Sequence, residues 1–333
     1  MDLAQRFSHI PSTLDEIAAR PLSPQVAALA EGVSRVRIAA MGGSYNASLA
    51  AVERFLERGI DARAELASHV VHSSAATIAD DELVILISYS GTSVETIRAA
   101  QALKDRGVRT LCITNAPDSE LAGLCDATVD QGLTEVTHTP FGPWTATYLT
   151  LFRVAAAAAG EDGLPSAELG AAAAAALAAA DGILALQPTA PAYAEFFGRG
   201  ALAATAVQAT LIVREIARVP AAAWDSSTYR HGPIEGISSE QLSLVFAARE
   251  GRAAELDASF ARALRDITGR VVVVGPDDAS VAIPVADEYL PLVSLIVPSV
   301  LAYAWGEQAG IPAGEFRYTS HSITDEAELT REN

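Results

Sequence analysis

Cysteine and positive charge are both scarce in this chain. Its 333 residues include two cysteines, Cys112 and Cys125, and 23 lysines and arginines against 41 aspartates and glutamates. Two cysteines without the spacing of a metal site predict buried, reduced thiols rather than a disulfide framework. The net charge of −18 argues against nucleic acid and against an anionic membrane surface as partners.

Targeting and membrane-spanning patterns are also missing from the sequence. The first residues are polar and include Asp2, Gln5 and Arg6, unlike the apolar segment of a secretory leader. No apolar run reaches the length expected of a membrane span. We therefore expect a cytoplasmic protein that binds neither nucleic acid nor membrane. No pattern indicates a metal or a redox cofactor, so we expect none.

The length and the hydrophobic content predict two domains with substantial cores. Half of the residues are hydrophobic, and 333 residues exceed the usual size of one domain. We expect a first domain over 1–165 and a second over 166–333. The Ala-rich stretch 171–180 predicts a helix, and the segment 164–189 is expected to hold the linker.

The segment 83–97 carries the clearest chemical signal, because an apolar run there ends in small hydroxyl residues. The run predicts a buried parallel strand, and Ser93 is placed to cap a helix that begins at Val94. Backbone N–H groups at the helix start and the loop hydroxyls favour an anion. Without a dinucleotide or P-loop fingerprint, the segment predicts a phosphate monoester near Ser88, Ser90 and Thr92. The alternative is an ordinary Ser-rich turn between strand and helix.

A second loop of the same kind lies upstream. The apolar run 36–39 predicts a strand, and the sequence MGGSY at 41–45 leads into a helix predicted over 46–58, with Ser44 in the N-cap position. The carboxyl ends of parallel strands lie at one edge of a sheet. The two loops can therefore converge on one ligand if their strands are neighbours.

The strand pattern of the first half recurs in the second half, at an offset of roughly 160 residues, which suits a duplicated domain. The runs at 196–200, 242–247 and 270–275 correspond to the first, second and third apolar strands of the pattern at 36–129. In place of the Ser-rich loop, the second copy has Ala248, Arg249, Glu250 and Gly251. We expect the anion site in the first half only.

MGGSY and ISYSGTSVET resemble the signatures of the SIS (sugar isomerase) family of phosphosugar-binding domains. The resemblance implies an α/β fold of two tandem SIS-type domains, each a mostly parallel sheet flanked by helices in a flavodoxin-like sandwich. It also implies a sugar-phosphate ligand whose phosphate is held by the loop hydroxyls. That role falls on Ser44, Ser88, Ser90 and Ser93, with Gly43, Tyr89 and Thr92 in the same two loops.

The second half contains charge inside an apolar helix. The helix predicted over 201–218 carries Arg214 and Glu215 among apolar residues. Charge at such a position needs a partner or a function, and a solvated edge of the helix or an Arg–Glu network is the structural alternative. Burial is expected to raise the pKa of a carboxyl group there. His231 precedes Gly232 and Pro233, which predicts a loop and either an acid–base group or an ordinary surface histidine.

Three further sequences widen the resemblance. GRG at 198–200, REI at 214–216 and RHGP at 230–233 resemble, at matching spacing, the isomerase half of the glutamine–fructose-6-phosphate amidotransferase family over 35–326. The resemblance implies that Glu215 moves a proton between C1 and C2 of an open-chain sugar. It implies that His231, from the neighbouring subunit of a homodimer with shared active sites, assists ring opening. Glu135 matches a further glutamate of the family.

Two departures from that family affect the expected chemistry. Where the family has a lysine that can form a Schiff base near the C-terminus, this chain has His321, which cannot form a stable imine. His321 is therefore expected to act as an acid–base or hydrogen-bonding group. The chain begins without the family's glutaminase domain, so we expect no release of ammonia from glutamine.

Three functions fit these residues. The first is aldose–ketose isomerisation of a sugar phosphate, and the second is deamination or deglycation of an amino-sugar phosphate by a related proton transfer. An enzyme of this isomerase or deaminase type is the favoured interpretation. The third is a non-catalytic sugar-phosphate sensor, which the replacement of the lysine by His321 favours and which Glu215 and His231 argue against.

Overall fold

The computed structural model describes residues 7–133, 141–165, 167–312, 314–318 and 323–325. The chain forms two compact units. The first unit contains the described residues within Ala19–Val136, Gly142–Pro165 and Phe316–Asn333, and the second those within Met1–Ala18, Thr137–Phe141 and Ser166–Glu315. Each unit thus includes a terminal segment from the other half of the sequence. The domain boundary between 165 and 166 stays a prediction.

Strands and helices alternate along the chain. Up to residue 158 the elements are α1 (Ile10–Ala19), α2 (Pro24–Ala30), β1 (Arg35–Ala40), α3 (Gly42–Leu56), β2 (Asp61–Leu66), α4 (Ala67–His69), β3 (Leu83–Ile87), α5 (Val94–Lys104), β4 (Thr110–Thr114), α6 (Glu120–Leu124), β5 (Ala127–Asp130) and α7 (Phe141–Ala158). A π-helical turn (Val70–Ser74) and a 3₁₀ turn (Ala75–Thr77) follow α4.

The second half continues the alternation. Its elements are α8 (Leu169–Leu186), β6 (Ala194–Gly198), α9 (Ala201–Ile216), β7 (Ala221–Asp225), α10 (Ser226–Tyr229), β8 (Leu242–Phe246), α11 (Gly251–Thr268), β9 (Val271–Gly275), β10 (Val281–Ala282), α12 (Leu290–Val293) and α13 (Ile296–Gln308). Short 3₁₀ turns cover Pro233–Gly236 and Asp287–Tyr289. Most of the segment expected to be a linker is α8, which packs on α13 of the same unit.

The first unit is built on a parallel sheet of five strands in the order β2-β1-β3-β4-β5. Every residue of β3 and β4 is buried, which explains why both strands read as unbroken apolar or small runs. One face of the sheet packs on α5 and α6 around Val84, Leu86 and Cys112. Both cysteines are free thiols, as predicted; Cys112 is buried, whereas Cys125 is only half-buried.

The second unit repeats this architecture. Its sheet has the order β7-β6-β8-β9-β10, and all of its strands are parallel. Taken strand by strand, β6 to β10 have the same spatial order as β1 to β5. The predicted α/β fold with an internal duplication is therefore confirmed.

One segment meets the length and composition of a membrane span, contrary to the expectation from the sequence. It is Asp287–Gln308, which includes α12 and α13, and its most apolar 18-residue stretch is completely buried within the structure. In the second unit α13 packs on α8 and α9. An interior helix is apolar all round because all of its faces are covered, and α13 has that position.

Candidate functional site

The loop between β3 and α5 brings hydroxyl groups together. The side chains of Ser88 and Ser93 are hydrogen-bonded to each other at 2.9 Å, and those of Ser90 and Thr92 at 2.8 Å. The Ser88 N–H donates to the carbonyl of Ile113 in the neighbouring strand at 3.2 Å. Because the loop follows the carboxyl end of a central strand, these hydroxyls lie where open α/β sheets bind ligands.

A glycine makes the tight turn of this loop possible. Gly91 has φ +67°, and its N–H donates to the carbonyl of Ser88 at 3.1 Å. A Cβ atom at position 91 would lie 2.1 Å from Oγ of Ser119, the N-cap residue of α6. The position therefore excludes any side chain, for both conformational and steric reasons.

The start of α5 matches the predicted helix boundary. Ser93 is the N-cap residue, but its hydroxyl makes no capping bond and contacts Ser88 instead. The Val94 N–H donates to the carbonyl of Ile323 at 3.1 Å, so the C-terminal segment contacts the helix start. Glu95 in the first turn stabilises the helix dipole, although its charge opposes an anion.

Tyr89 is held by a residue that sequence reasoning did not single out. Asn115, just past the carboxyl end of β4, donates its backbone N–H to the Tyr89 carbonyl at 2.9 Å and its side-chain amide to the Tyr89 hydroxyl at 3.1 Å. The same side chain bonds the backbone of Leu133 at 3.0 and 2.6 Å. An amide directly after the third central strand was the signal that could have identified it.

The upstream loop differs in detail from its prediction. Helix α3 begins at Gly42 rather than at residue 46, its N-cap residue is Met41, and no side chain caps it. The predicted N-cap role of Ser44 is wrong, because Gly42 at φ +53° starts the helix earlier. Gly43 and Ser44 therefore lie in its first turn. Ala40 pairs with Ile87 in register, so the two predicted loops leave neighbouring strands side by side, as expected.

Glu215 lies in the last turn of α9, in the second unit. It is half-buried, while Arg214 is exposed and donates to the carbonyl of Ala221 at 3.3 Å. The Arg–Glu pairing considered as an alternative is not among the ion pairs of the described residues. Burial penalises the charged carboxylate and raises the pKa of Glu215 to about 7, in the direction expected from the sequence.

His231 is exposed and lies two residues after the end of α10. Its N–H donates to the carbonyl of Thr228 at 2.9 Å, and Gly232 at φ +138° separates it from the 3₁₀ turn Pro233–Gly236. The predicted loop position is confirmed. The role of His231, like the roles of the other candidate residues, stays a prediction.

Glu215 and His231 lie on elements that cover different faces of the second sheet. Tyr229 packs with Phe197 of β6 and Phe260 of α11, so α10 is on the α11 face. Helix α9 packs on α13, and right-handed crossovers in opposite directions place α9 and α11 on opposite faces. Within the described chain, no hydrogen bond or ion pair joins the two side chains.

Two predicted site residues, Glu135 and His321, lie outside the described part of the chain, so their predicted roles stay predictions. The Ile323 carbonyl on the Val94 N–H shows only that the described residues 323–325 lie at the start of α5.

Comparison with known protein families identifies the part of the chain that carries the two hydroxyl-bearing loops. The family model described as SIS domain matches residues 32–160, which span β1 to β5 and both hydroxyl-bearing loops. This part of the chain is a SIS domain. The resemblance inferred from the two loop sequences is therefore confirmed.

Relatives of the whole chain include sugar-phosphate enzymes. Glutamine–fructose-6-phosphate aminotransferase (isomerizing) from Gloeobacter violaceus is 29% identical over 322 residues, covering 88% of this chain and 52% of that protein. The chain thus spans about half the length of that relative. A 3-hexulose-6-phosphate isomerase from Mycobacterium gastri is 31% identical over 132 residues, covering 38% of this chain and 63% of that protein.

A solved structure extends the similarity to both units. Glucosamine-6-phosphate deaminase from Thermotoga maritima has a TM-score of 0.72 and 18% sequence identity, covering 93% of this chain and 94% of that protein. At this identity the match establishes the fold. The same fold therefore extends over both sheets of this chain.

Proposed function

We propose that this protein catalyses 1,2-proton transfer on an open-chain sugar phosphate, in the manner of an aldose–ketose isomerase. The phosphate is bound by the SIS domain, and Glu215 of the second unit acts as the base. Deamination of an amino-sugar phosphate is the related candidate, since removal of the proton beside the carbon–nitrogen bond uses the same group.

The observation that carries the proposal is the hydroxyl cluster at the start of α5. Ser88 and Ser93 meet at 2.9 Å, and Ser90 and Thr92 at 2.8 Å. Because the Ser93 hydroxyl bonds Ser88 rather than capping the helix, a ligand can engage this pair without removing a capping bond. Hydroxyls and a helix N-terminus together suit the three acceptor oxygens of a phosphate monoester.

The pKa of Glu215 supports the proton-transfer step. In an open-chain sugar, the hydrogen on the carbon next to the carbonyl is acidic, and its removal leaves an enediolate. A carboxylate with a pKa of about 7 takes that proton near neutral pH and returns it to the neighbouring carbon. One group thus performs both halves of the carbon-to-carbon transfer, while the hydroxyl proton passes from one oxygen of the enediolate to the other, so no net proton is consumed.

A second copy of the chain completes the proposed site. Glu215 and His231 lie on elements that cover different faces of one sheet, so a site that uses both would take His231 from a partner subunit. The proposal is therefore a homodimer with shared sites that acts on a small-molecule substrate, and a cytoplasmic location is proposed with it.

A binding experiment with two serine variants tests the phosphate part. Ser93→Ala removes a hydroxyl of the cluster without removing a capping bond, whereas Ser23→Ala removes the hydroxyl that caps α2 at 3.3 Å. Against a panel of sugar phosphates and their dephosphorylated sugars, we expect Ser93→Ala to weaken phosphosugar binding at least about tenfold. Ser23→Ala should lower the melting temperature and keep the affinity.

Product analysis by proton NMR completes the test. Aldose–ketose interconversion of a bound sugar phosphate supports the isomerase, and ammonia release from an amino-sugar phosphate supports the deaminase. Binding without turnover of any bound compound would point to the sensor, and binding that is independent of the phosphate would refute the proposal.

A further inference from the structure

Every residue of the short helix α10 is tied to another element. Ser226 donates to the carbonyl of Gly198 at 3.1 Å, the hydroxyl of Ser227 accepts a bond from Arg199, and the N–H groups of Ser227 and Thr228 donate to the Asp225 carboxylate at 2.8 and 3.1 Å. Tyr229 is completely buried. A four-residue helix with this many anchors holds the exposed loop that follows it.

The last anchor is a buried carboxylate in β6. Glu195 is 5% exposed, and it accepts a bond from the Tyr229 hydroxyl at 2.7 Å. It also accepts bonds from the Trp224 indole at 3.0 Å, the Gln241 amide at 2.7 Å and the Tyr193 hydroxyl at 3.4 Å. The carboxylate thereby links β7, α10 and the start of β8.

The equivalent position in the first unit has the opposite charge. By register, Glu195 corresponds to Arg37, because Val36 pairs with Leu83 as Ala194 pairs with Leu242. Arg37 is bonded to Glu82 at 2.9 Å and to Glu65 at 2.7 Å, and these two positions correspond to Gln241 and Trp224.

This correspondence shows which bonds are special to the second unit. Both units close a polar network of three side chains at the same place, but the central charge is reversed, and its partners Gln241 and Trp224 in the second unit are neutral. In the second unit the network also gains the hydroxyls of Tyr193 and Tyr229, and Tyr229 lies two residues before His231. Strand closure is served by the three shared positions, so the Tyr229 bond has a separate role.

We propose that Glu195 and Tyr229 are positioning residues that hold the loop bearing His231 at a fixed place. The aromatic contacts of Tyr229 with Phe197 and Phe260, with ring centroids 4.7 and 6.1 Å apart, fix the ring, and the hydroxyl bond fixes its tip. An acid–base group that acts in the site of a partner subunit has to be held in a fixed position before the substrate binds. This inference rests on the proposed function, in which His231 handles the ring oxygen.

Two tyrosine variants separate positioning from general stability. Tyr229→Phe removes the anchor of the His231 loop, and Tyr193→Phe removes a donor from the same carboxylate outside that loop. We expect Tyr229→Phe to lower kcat at least about tenfold with KM within about twofold of wild type, since misplaced catalytic groups affect the reacting state. Tyr193→Phe should leave both constants unchanged.

A double-mutant cycle with His231→Asn identifies the route of the effect. If Tyr229 acts through His231, Tyr229→Phe lowers kcat in the wild-type background and has no further effect in the His231→Asn background. A wild-type kcat for Tyr229→Phe, or equal losses in both backgrounds, would overturn the inference while leaving the proposed proton transfer intact.

Amide hydrogen exchange tests positioning without any substrate. The His231 N–H is bonded to the Thr228 carbonyl at 2.9 Å, and we expect its exchange to quicken at least about tenfold in Tyr229→Phe and not in Tyr193→Phe. Unchanged exchange in Tyr229→Phe would refute the positioning role. If exchange is faster in Tyr229→Phe but the wild-type protein has no activity, the anchoring role of Tyr229 is supported and the proposed function is refuted.

Discussion

Glu215 shows how a place in a helix changes the chemistry of a side chain. The last turn of a largely buried helix removes part of its hydration, and its pKa rises to about 7 from the ordinary value of 4.5. Sequence reasoning predicted the direction of this shift from the apolar neighbours of Glu215. The absence of an ion pair with Arg214 could not be predicted, because it depends on the Ala221 carbonyl to which Arg214 donates.

The activity of the enzyme should depend on pH through Glu215. The base must be deprotonated to accept a proton, so activity is lost as pH falls through the pKa of the carboxyl group. We expect kcat/KM to decrease about tenfold per pH unit below about 7, and a pH–rate profile from pH 5 to 9 measures this. An acidic limb near pH 4.5, the value of an exposed glutamate, would contradict the assignment.

The lysine content sets a second constraint at the residue scale. Lys104 is the single lysine of the sequence, and it ends α5, at the opposite end of that helix from the hydroxyl cluster. A Schiff base with a bound sugar carbonyl therefore has no lysine at the loop. We expect sodium borohydride to trap no sugar phosphate on the protein, as judged by intact mass. Trapping that survives in Lys104→Arg would locate an amine elsewhere and contradict this reasoning.

At the scale of elements, the turn between β3 and α5 depends on Gly91. The chain offers a matched control in Gly107, which follows the same helix at φ +69° and has open space where a Cβ would lie. Gly107→Ala destabilises the fold only through the positive φ angle of the backbone, by about 1 kcal/mol. Gly91→Ala adds an overlap with Ser119, so the loop must move.

We therefore expect the two alanine variants to differ in phosphosugar binding. Gly91→Ala should weaken the affinity at least about tenfold, and Gly107→Ala should leave it unchanged, as measured by calorimetry with the compound that binds wild type. Equal affinities in the two variants would show that the turn geometry does not support the ligand.

The strands were predictable from the sequence, and the start of α3 was not. The apolar run that opens the segment 83–97 forms the buried parallel strand β3, as predicted, since a central parallel strand has to be apolar on both faces. Ser44 looked like an N-cap because of its residue type. The left-handed Gly42 moved the helix start by four residues, and such backbone dihedrals are not apparent from composition.

The buried polar networks could not be predicted either. Arg37 and Glu195 occupy equivalent strand positions. In the sequence alone, each is only a charged residue in an apolar stretch, because its partners are not apparent. Those partners, such as Glu82 and Tyr229, are remote in sequence. Only strand register brings them into contact. A single sequence therefore shows the charged residue but not the hydrogen-bond partners that stabilise it.

At the scale of the molecule, the two duplicated units carry different candidate residues. The first unit retains the hydroxyl loop. In the second unit, Arg249 fills the equivalent loop, donating to the Ile283 carbonyl at 2.6 Å and pairing with Asp277 at 2.9 Å. In the proposed function, the first unit binds the phosphate and the second unit supplies Glu215 and His231.

Mixed dimers test whether the site is shared between subunits. A dimer of one Glu215→Gln chain and one His231→Asn chain contains one intact Glu215–His231 combination across the interface. Random mixing produces such dimers in half of the population, with one active site of two, so about a quarter of wild-type activity should return. Differently tagged chains would verify that mixed dimers form. Their complete inactivity would place both residues in one subunit's site.

The most direct test of the central claim is proton exchange at the sugar carbon. The wild-type protein and Glu215→Gln would each be incubated in D2O with a bound sugar phosphate and followed by proton NMR. We predict that wild type incorporates deuterium at C1 or C2, and that Glu215→Gln binds the same compound but exchanges it at least about 100-fold more slowly. Equal exchange rates in the two proteins would contradict the role of Glu215, and binding without exchange by wild type would contradict proton transfer itself.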